Sequence, residues 1–316
     1  MSRDATKNAG APDEPKQMDR DGAARLMRIA TYAAVGVAST LIAVKFIAWL
    51  MTDSVSLLST LIDSLLDVAA STVNLLAVRH ALEPADKEHR FGHGKAESLA
   101  GLAQAAFISG SAVFLLLQAG ERLYNPVAIE NTHIGYAVMV FSIVATLGLV
   151  LFQKYVARRT QSLAISADSA HYTMDVLVNL SVILSLFLAS ELGWVIADPL
   201  FAIAIAFYIL RGAYEIGTEA YQVLMDRELP DEDRAQIRKL ALKHPLVISM
   251  HDLRTRQSGP DVFIQMHLEM RGELSLLEAH DVAEDVMYKV QAAYPRAEVL
   301  IHQDPMGVEE ERRFDD

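Results

Sequence analysis

Long apolar blocks constrain the fold of this chain more than any other feature of its sequence. Each block holds about 20 mostly apolar residues, the length of helix that crosses the hydrocarbon core of a bilayer. Hydrophobic residues make up 52% of the 316 residues, which agrees with this interpretation. The sequence therefore predicts an α-helical membrane protein with six spans, at residues 29–51, 55–76, 98–117, 134–152, 163–188 and 195–216.

Basic residues in the short connections predict the orientation of these spans. Arginine and lysine gather before span one, after span two and after span four, whereas the opposite connections offer only Arg122. Since basic loops remain in the cytoplasm, we expect both termini there. The predicted domains are a disordered cytosolic tail at 1–25, a transmembrane domain at 26–225, a cytoplasmic domain at 226–307 and a tail at 308–316.

The chain from residue 226 onward is polar and acidic, with 12 Lys and Arg against 20 Asp and Glu. An acidic surface disfavours nucleic acid as a partner and favours cations. The pattern is a helix after LPDEDR, the strands VISMHDLRT and VFIQMHLEM around SGPD, a helix at 276–294 and a last strand EVLIHQD. This α-β-β-α-β order predicts a small two-layer α+β domain.

Two carboxylates interrupt the second apolar block, in the stretch LIDSLLDVAA. Asp63 and Asp67 are four residues apart, so a helix places them on one face, one turn apart. Ionisable residues inside a span are costly and are by default functional. Adjacent carboxylates oppose each other's ionisation unless a cation lies between them, so we favour a cation site over two neutral buried acids.

A second pair with the same spacing lies in the fifth span, where HYTMD contains His171 and Asp175. Two helices that each offer such a pair supply four ligands, enough for a tetrahedral site around a divalent ion such as Zn²⁺. The chain has no cysteine, so the ligands must be nitrogen and oxygen. Asp168 and Asn179 are interpreted as outer partners of this site or as packing groups, and Lys45 as a snorkelling side chain.

The loop after span two, EPADKEHRFGHGKAES, carries a third group of possible ligands. Asp86, His89 and His93 have a spacing that suits a metal site. The alternative is a solvated basic connector, because the positive-inside rule also demands a basic loop here.

The soluble domain contains a fourth group of possible ligands. Strand alternation puts His267 on the face of its strand away from the apolar residues, and it puts His302 and Asp304 on one face of the last strand. Four histidines and one aspartate can converge in this domain: His251, His267, His280, His302 and Asp304.

Six segments of the sequence resemble the cation diffusion facilitator family, and in particular its bacterial zinc and iron exporters. These segments are DSLLD, HYTMD, PADKEHRFGHGKAESLA, HDLRTRQSGP, FIQMHLEM and IHQDP. The resemblance covers nearly the whole chain apart from the two ends. It implies a multi-pass homodimer in the bacterial inner membrane, with a metallochaperone-like cytoplasmic fold.

The resemblance also implies the roles of individual residues. It implies an intramembrane transport site of Asp63, Asp67, His171 and Asp175, and a loop site of Asp86, His89 and His93. It implies a binuclear cytoplasmic site of His251, His267, His280, His302 and Asp304, in which Asp304 bridges the ions. Lys95 and Asp226 match a pair that forms a charge interlock at the membrane surface.

The mechanism follows from the chemistry of these ligands. The sequence has no G-x-x-x-x-G-K-[ST] loop, so ATP hydrolysis is not indicated and a gradient is the expected driving force. Carboxylates and imidazoles bind metal only when deprotonated, so a site with alternating access exchanges a divalent cation for protons. We predict efflux of Zn²⁺, which the Irving–Williams order favours, with Cd²⁺, Fe²⁺ and Mn²⁺ as other compatible ions.

Two other functions remain as alternatives at this point. A membrane metalloenzyme needs an open coordination position and a base, and the H-E-x-x-H motif is absent. A membrane-bound metal sensor binds ions without moving them and does not need Asp63 and Asp67 inside a span.

Overall fold

The computed structural model describes residues 20–52, 55–124, 133–192, 194 and 196–307. Six long helices come first: α1 (Arg20–Thr52), α2 (Val55–Ala81), α3 (Lys95–Tyr124), α4 (His133–Thr160), α5 (Leu163–Leu192) and α6 (Ala197–Leu224). A second set of elements follows: α7 (Asp231–Ala241), β1 (Val247–Ser258), β2 (Asp261–Met270), α8 (Leu276–Ala293) and β3 (Ala297–Pro305). The predicted helical domain followed by an α-β-β-α-β domain is confirmed.

The predicted tails lie largely outside the described residues. This applies to all of the tail at 308–316 and to residues 1–19 of the tail at 1–25. The first helix begins at Arg20, before the predicted boundary at residue 26. It extends beyond the apolar block because Ala23 and Met27 are buried against the rest of the bundle.

Five of the long helices are, in their described parts, long and apolar enough to cross a membrane: α1, α2, α3, α4 and α6. The remaining helix, α5, is 30 residues long. Its first half carries Asp168, His171 and Asp175, and these side chains lower its apolar character. Asp168 and His171 are buried, so these polar residues of α5 face the bundle interior, and the assignment of α5 as a sixth span stays a prediction.

Helix α5 is the centre of the bundle, because it contacts all of the other long helices. The other main contacts are between α3 and α6, between α1 and α2, and between α1 and α4. Small residues such as Ala105 and Ala167 lie buried where α3, α5 and α6 meet. Small side chains let membrane helices approach closely, which explains the dense packing around α5.

The second domain contains a three-stranded sheet in the order β1-β2-β3. Strands β1 and β2 are antiparallel, whereas β2 and β3 are parallel and are therefore joined by a crossover through α8. The hydrophobic core lies between one face of β2 and the inner faces of α7 and α8. It includes Ile237, Ile264, Met266, Leu268, Val286 and Val290. The opposite face of β2 keeps His267 outside this core, as the alternation predicts.

The α2–α3 loop lies against the turn between β1 and β2. The ring of Phe91 is 5.6 Å from that of Phe263, and the Arg256 guanidinium lies 4.8 Å and 4.4 Å from the two ring centroids. A Cβ atom on Gly94 would lie 2.2 Å from the carbonyl oxygen of Ser258. Glycine is therefore required at position 94 for the two backbones to approach each other.

We expect Gly94→Ala to lower the free energy of unfolding by about 1–3 kcal/mol, as overpacked contacts do. The added Cβ would meet backbone atoms of Ser258, which cannot rotate away as a side chain can. Thermal unfolding of the full chain in nanodiscs measures the effect. Gly148→Ala is the control, because nothing lies within 4 Å of the added carbon there. A Gly94→Ala variant as stable as the parent would contradict the close approach.

Candidate metal centres

The first centre lies where α2 meets α5, and we call its three residues, Asp67, His171 and Asp175, the membrane cluster. Asp67 Oδ1 is 3.0 Å from His171 Nε2, and the same nitrogen is 3.9 Å from Asp175 Oδ2. One ligand atom from each residue lies within 4.8 Å of the other two, so a single divalent ion can bind all three. The side chain of His171 is only 2% exposed, against 18% for Asp67 and 26% for Asp175.

A hydrogen bond between α2 and α5 positions the membrane cluster. The hydroxyl groups of Ser71 and Tyr172 are 2.7 Å apart. Ser71 lies one turn after Asp67 and Tyr172 directly follows His171, so this bond fixes the two ligand-bearing turns against each other. The ring of Phe107 packs 5.6 Å from that of His171 and restricts its orientation.

The two polar residues that flank the pair on α5 bind within the bundle. Asn179 donates through Nδ2 to the carbonyl oxygen of Asp175 at 2.8 Å. Asp168 is buried and accepts a hydrogen bond from Gln153 Nε2 at 2.6 Å. Asp168 joins α5 to α4, whereas Asn179 bonds within α5, and neither belongs to the ligand group of the membrane cluster among the described residues.

The structure places Asp63 apart from the membrane cluster. Its side chain is exposed on α2, one turn before Asp67, and it does not join the ligand group. Lys45 donates through Nζ to Ser64 Oγ at 2.7 Å and to the carbonyl oxygen of Thr60 at 3.2 Å. Lys45 thus binds α2 instead of extending along lipid as we expected, and the role of Asp63 as fourth ligand stays a prediction.

The second centre, which we call the loop cluster, contains Asp86, His89 and His93. His89 Nδ1 and His93 Nε2 lie 3.3 Å and 3.5 Å from the carboxylate oxygens of Asp86. Asp86 Oδ1 also accepts the backbone N–H groups of His89, at 2.6 Å, and of Glu88, at 2.8 Å. These hydrogen bonds, chiefly that from His89, hold the pKa of Asp86 below its usual range, so its carboxylate is ionised at neutral pH.

Two residues beside the loop cluster were not singled out from the sequence. His80 and Glu83, at the C-terminal end of α2, form another group of possible ligands together with His93. The available signal was the H-x-x-E spacing, which places both side chains on one side of a helix end. Their approach to His93 depends on how the loop folds back, which the spacing does not show.

The third centre, which we call the cytoplasmic cluster, contains His251, His267, His302 and Asp304. The strand register pairs His251 with His267 and His267 with His302, so the three imidazoles form a row across the sheet. Asp304 Oδ2 is 2.9 Å from His267 Nδ1 and 3.3 Å from His251 Nε2. Its other oxygen, Oδ1, is 3.0 Å from His302 Nε2. A carboxylate that faces histidines through both oxygens has the arrangement that bridging of two ions requires.

His280 lies away from this row. It is on α8, where its side chain is 58% exposed and its Nε2 is 3.7 Å from Glu284 Oε1. It does not join the group of His251, His267 and Asp304 among the described residues. Its assignment to the binuclear site therefore stays a prediction.

An ion pair joins the two domains near these centres. Lys95 Nζ, at the start of α3, is 2.9 Å from Asp226 Oδ1, which follows α6. Arg256 Nη1, on β1, is 3.5 Å from the same oxygen. The side chains of Lys95 and Asp226 are half-exposed, so this pair contributes at most about 1 kcal/mol to stability. Through Arg256, Asp226 also connects the end of β1 to the helices.

Comparison with known proteins gives two family matches and close relatives. Residues 31–225 match the cation efflux transmembrane domain, and residues 229–306 match the cytoplasmic domain of cation efflux proteins. The chain is 50% identical to the cation-efflux pump FieF of Shewanella oneidensis over 283 residues, which cover 90% of this chain and 95% of that protein. It is 51% identical to FieF of Serratia proteamaculans over 290 residues, covering 92% and 96%. A solved chain of CzrB in a zinc form is 31% identical, with a TM-score of 0.26, and covers 27% of this chain and 99% of that one.

We expect Asp304→Ala to remove zinc from the cytoplasmic cluster, because both oxygens of this carboxylate face histidines. Asp304→Asn keeps one acceptor oxygen and should weaken binding less. Equilibrium dialysis of the purified full chain, followed by metal analysis, measures the number of zinc ions bound. Glu284→Ala, which removes a carboxylate beside His280, is the control and should bind as the parent does. Unchanged zinc binding by Asp304→Ala would refute this centre.

Proposed function

The chain belongs to the cation efflux family of membrane transporters, and from this premise we propose that it exports Zn²⁺ from the cytoplasm in exchange for protons through the membrane cluster. The proposal rests on one observation, the approach of Asp67, His171 and Asp175 to a common point inside the helical bundle. Nitrogen and oxygen ligands from two helices form the type of set that binds zinc. The relatives named above are cation-efflux pumps rather than enzymes.

The ligand chemistry favours zinc among the divalent cations. The membrane cluster offers one imidazole and two carboxylates, a mixed set that Zn²⁺, Fe²⁺, Mn²⁺ and Cd²⁺ can all use. The Irving–Williams order makes zinc the tightest binder among the first-row candidates Mn²⁺, Fe²⁺ and Zn²⁺. Asp63, once within reach of the same ion, would supply the fourth ligand of a tetrahedral zinc shell.

Metal and protons compete for the same atoms of the membrane cluster. A proton on His171 Nε2 would point at Asp67 Oδ1, 3.0 Å away, and would occupy the place that the ion needs. Binding of an ion therefore releases protons, and arriving protons release the ion. A cluster of this kind that opens to each side of the membrane in turn couples zinc export to proton entry.

The remaining expectations complete the proposal. The basic connections and the bacterial relatives support an inner-membrane protein with both termini in the cytoplasm. The match of residues 229–306 to a dimer-forming cytoplasmic domain of the family supports a homodimer. The loop and cytoplasmic clusters would bind regulatory zinc, so disruption of the cytoplasmic cluster should weaken transport without abolishing it.

Flux measurements in proteoliposomes test the proposal against the alternative of a metal sensor. The purified protein is reconstituted around a zinc-sensitive dye, and zinc uptake is followed with and without an opposing proton gradient. We expect the gradient to accelerate uptake and a protonophore to remove the acceleration. A sensor would bind zinc without any flux, and flux indifferent to the gradient would refute proton antiport.

We expect Asp63→Ala to abolish zinc transport while the protein still folds. Two ligands on α2 are needed to complete the shell that offsets dehydration of the ion, although Asp63 lies apart from the cluster in this structure. The same flux assay measures the loss. Thr72→Ala is the control on the same helix, since Thr72 donates to the Val68 carbonyl oxygen of its own helix at 2.7 Å. Near-normal flux in Asp63→Ala would end the assignment of Asp63 as a ligand.

We expect His171→Asp to reduce the preference for zinc over manganese, because Mn²⁺ tolerates an all-carboxylate shell better than zinc does. The pH dependence of transport should also move toward acid, since an ordinary aspartate titrates near ~4 and an ordinary histidine near ~6.5. Zinc and manganese fluxes across a pH series check both effects. Thr173→Ala on the same helix, which removes a hydroxyl that donates to the Ser169 carbonyl oxygen at 2.7 Å, is the control and should keep the selectivity and the pH profile. An unchanged profile in His171→Asp would exclude His171 as a ligand.

A further inference from the structure

Two histidines and a carboxylate lie together at the C-terminal end of α2, beside the loop cluster. His80 Nδ1 is 2.9 Å from Glu83 Oε2, and the ring of His80 is 4.5 Å from that of His93. One ligand atom from each of His80, Glu83 and His93 lies within 4.8 Å of the other two. This set repeats the composition of the loop cluster, which also has two imidazoles and one carboxylate, and His93 belongs to both.

His93 has the environment of a shared ligand. Its side chain is only 6% exposed, and its ring lies within 4.6 Å of both the His80 and the His89 rings. Its Nε2 faces Asp86 at 3.5 Å. Its Nδ1 is buried and has no hydrogen-bond partner among the described residues. A buried imidazole nitrogen without a partner is unfavourable, and a bound cation removes this deficit.

An ordinary helix-end ion pair does not explain the whole arrangement. His80 and Glu83 are each 53% exposed, and a histidine in the last turn of a helix interacts favourably with the helix dipole. That accounts for the contact between these two residues but not for their position against a buried histidine. Two imidazoles and a carboxylate around one point are instead a set of ligands that a divalent cation such as Zn²⁺ accepts.

We propose that His80, Glu83 and His93 form a second cation position, which we call the helix-end position, and that one ion occupies either this position or the loop cluster. The two positions exclude each other, because both need His93 and a neutral imidazole offers a single lone pair. The helix-end position extends the loop cluster onto α2. The same helix carries Asp67, which lies about 20 Å from His80 along the helix axis at a rise of 1.5 Å per residue. The inference concerns binding alone and holds whether or not the membrane cluster transports zinc.

Zinc binding by the full chain in nanodiscs tests this proposal. Asp86→Ala/His89→Ala removes only the loop cluster, His80→Ala/Glu83→Gln removes only the helix-end position, and His93→Ala removes both. We expect each double variant to bind as many zinc ions as the parent, with lower affinity at this centre. The association constants of the two double variants should add up to that of the parent. The quadruple variant and His93→Ala should each bind one ion fewer.

The membrane and cytoplasmic clusters are intact in all of these variants. They therefore add the same number of bound zinc ions to each variant, and differences between variants come from the loop cluster and the helix-end position. Arg79→Ala/Glu88→Gln is the control, because both residues adjoin the two sets and belong to neither. Thermal unfolding confirms that each variant folds, and the exposure of His80 and Glu83 makes their loss tolerable. Loss of one ion from Asp86→Ala/His89→Ala alone, retention of that ion by the quadruple variant, or equal zinc counts in every variant would overturn the proposal.

Discussion

The contact between Asp67 of α2 and His171 of α5, at 3.0 Å, is the interaction on which the membrane domain depends. An ionisable pair in an apolar bundle loses hydration worth several kcal/mol, and only a partner or a bound cation offsets that loss. The helix with the polar half, α5, is therefore enclosed by all of the other long helices. The more apolar helices then cover it from lipid, so the position of one polar contact determines the arrangement of the bundle.

The loop cluster is held from two sides, and this connects the membrane helices to the cytoplasmic sheet. Arg256 of β1 lies over the rings of Phe91 in the loop and Phe263 in β2. The same arginine faces Asp226, which also binds Lys95 at the start of α3. Each exposed ion pair alone contributes at most about 1 kcal/mol. As a connected set they join β1 to the loop and to the start of α3.

Helical spacing predicts the membrane cluster because residues four apart share a face in any helix, whatever surrounds it. The same spacing does not predict which carboxylates reach a common point, because that depends on how α2 packs against its neighbours, and Asp63 does not join the ligand group among the described residues. His280 could not be placed from the sequence either. The packing of α8 against the sheet decides which of its residues reach the histidines, and His280 lies outside their row. His80 and Glu83 approach the loop cluster only because the chain reverses near Gly92, which adopts a φ of 77° that favours glycine.

The three clusters use the same ligand types but differ in how completely one chain assembles them. The cytoplasmic cluster has three histidines around both oxygens of Asp304, an arrangement suited to ions that stay bound. The membrane cluster has three ligands in contact, with Asp63 one turn away. A site that must release its ion in every cycle cannot keep a closed shell, because tight binding becomes the barrier to release. Under the proposed function, Asp63 would complete the shell when it reaches the bound ion, and protons that take the place of zinc on these ligands would release it.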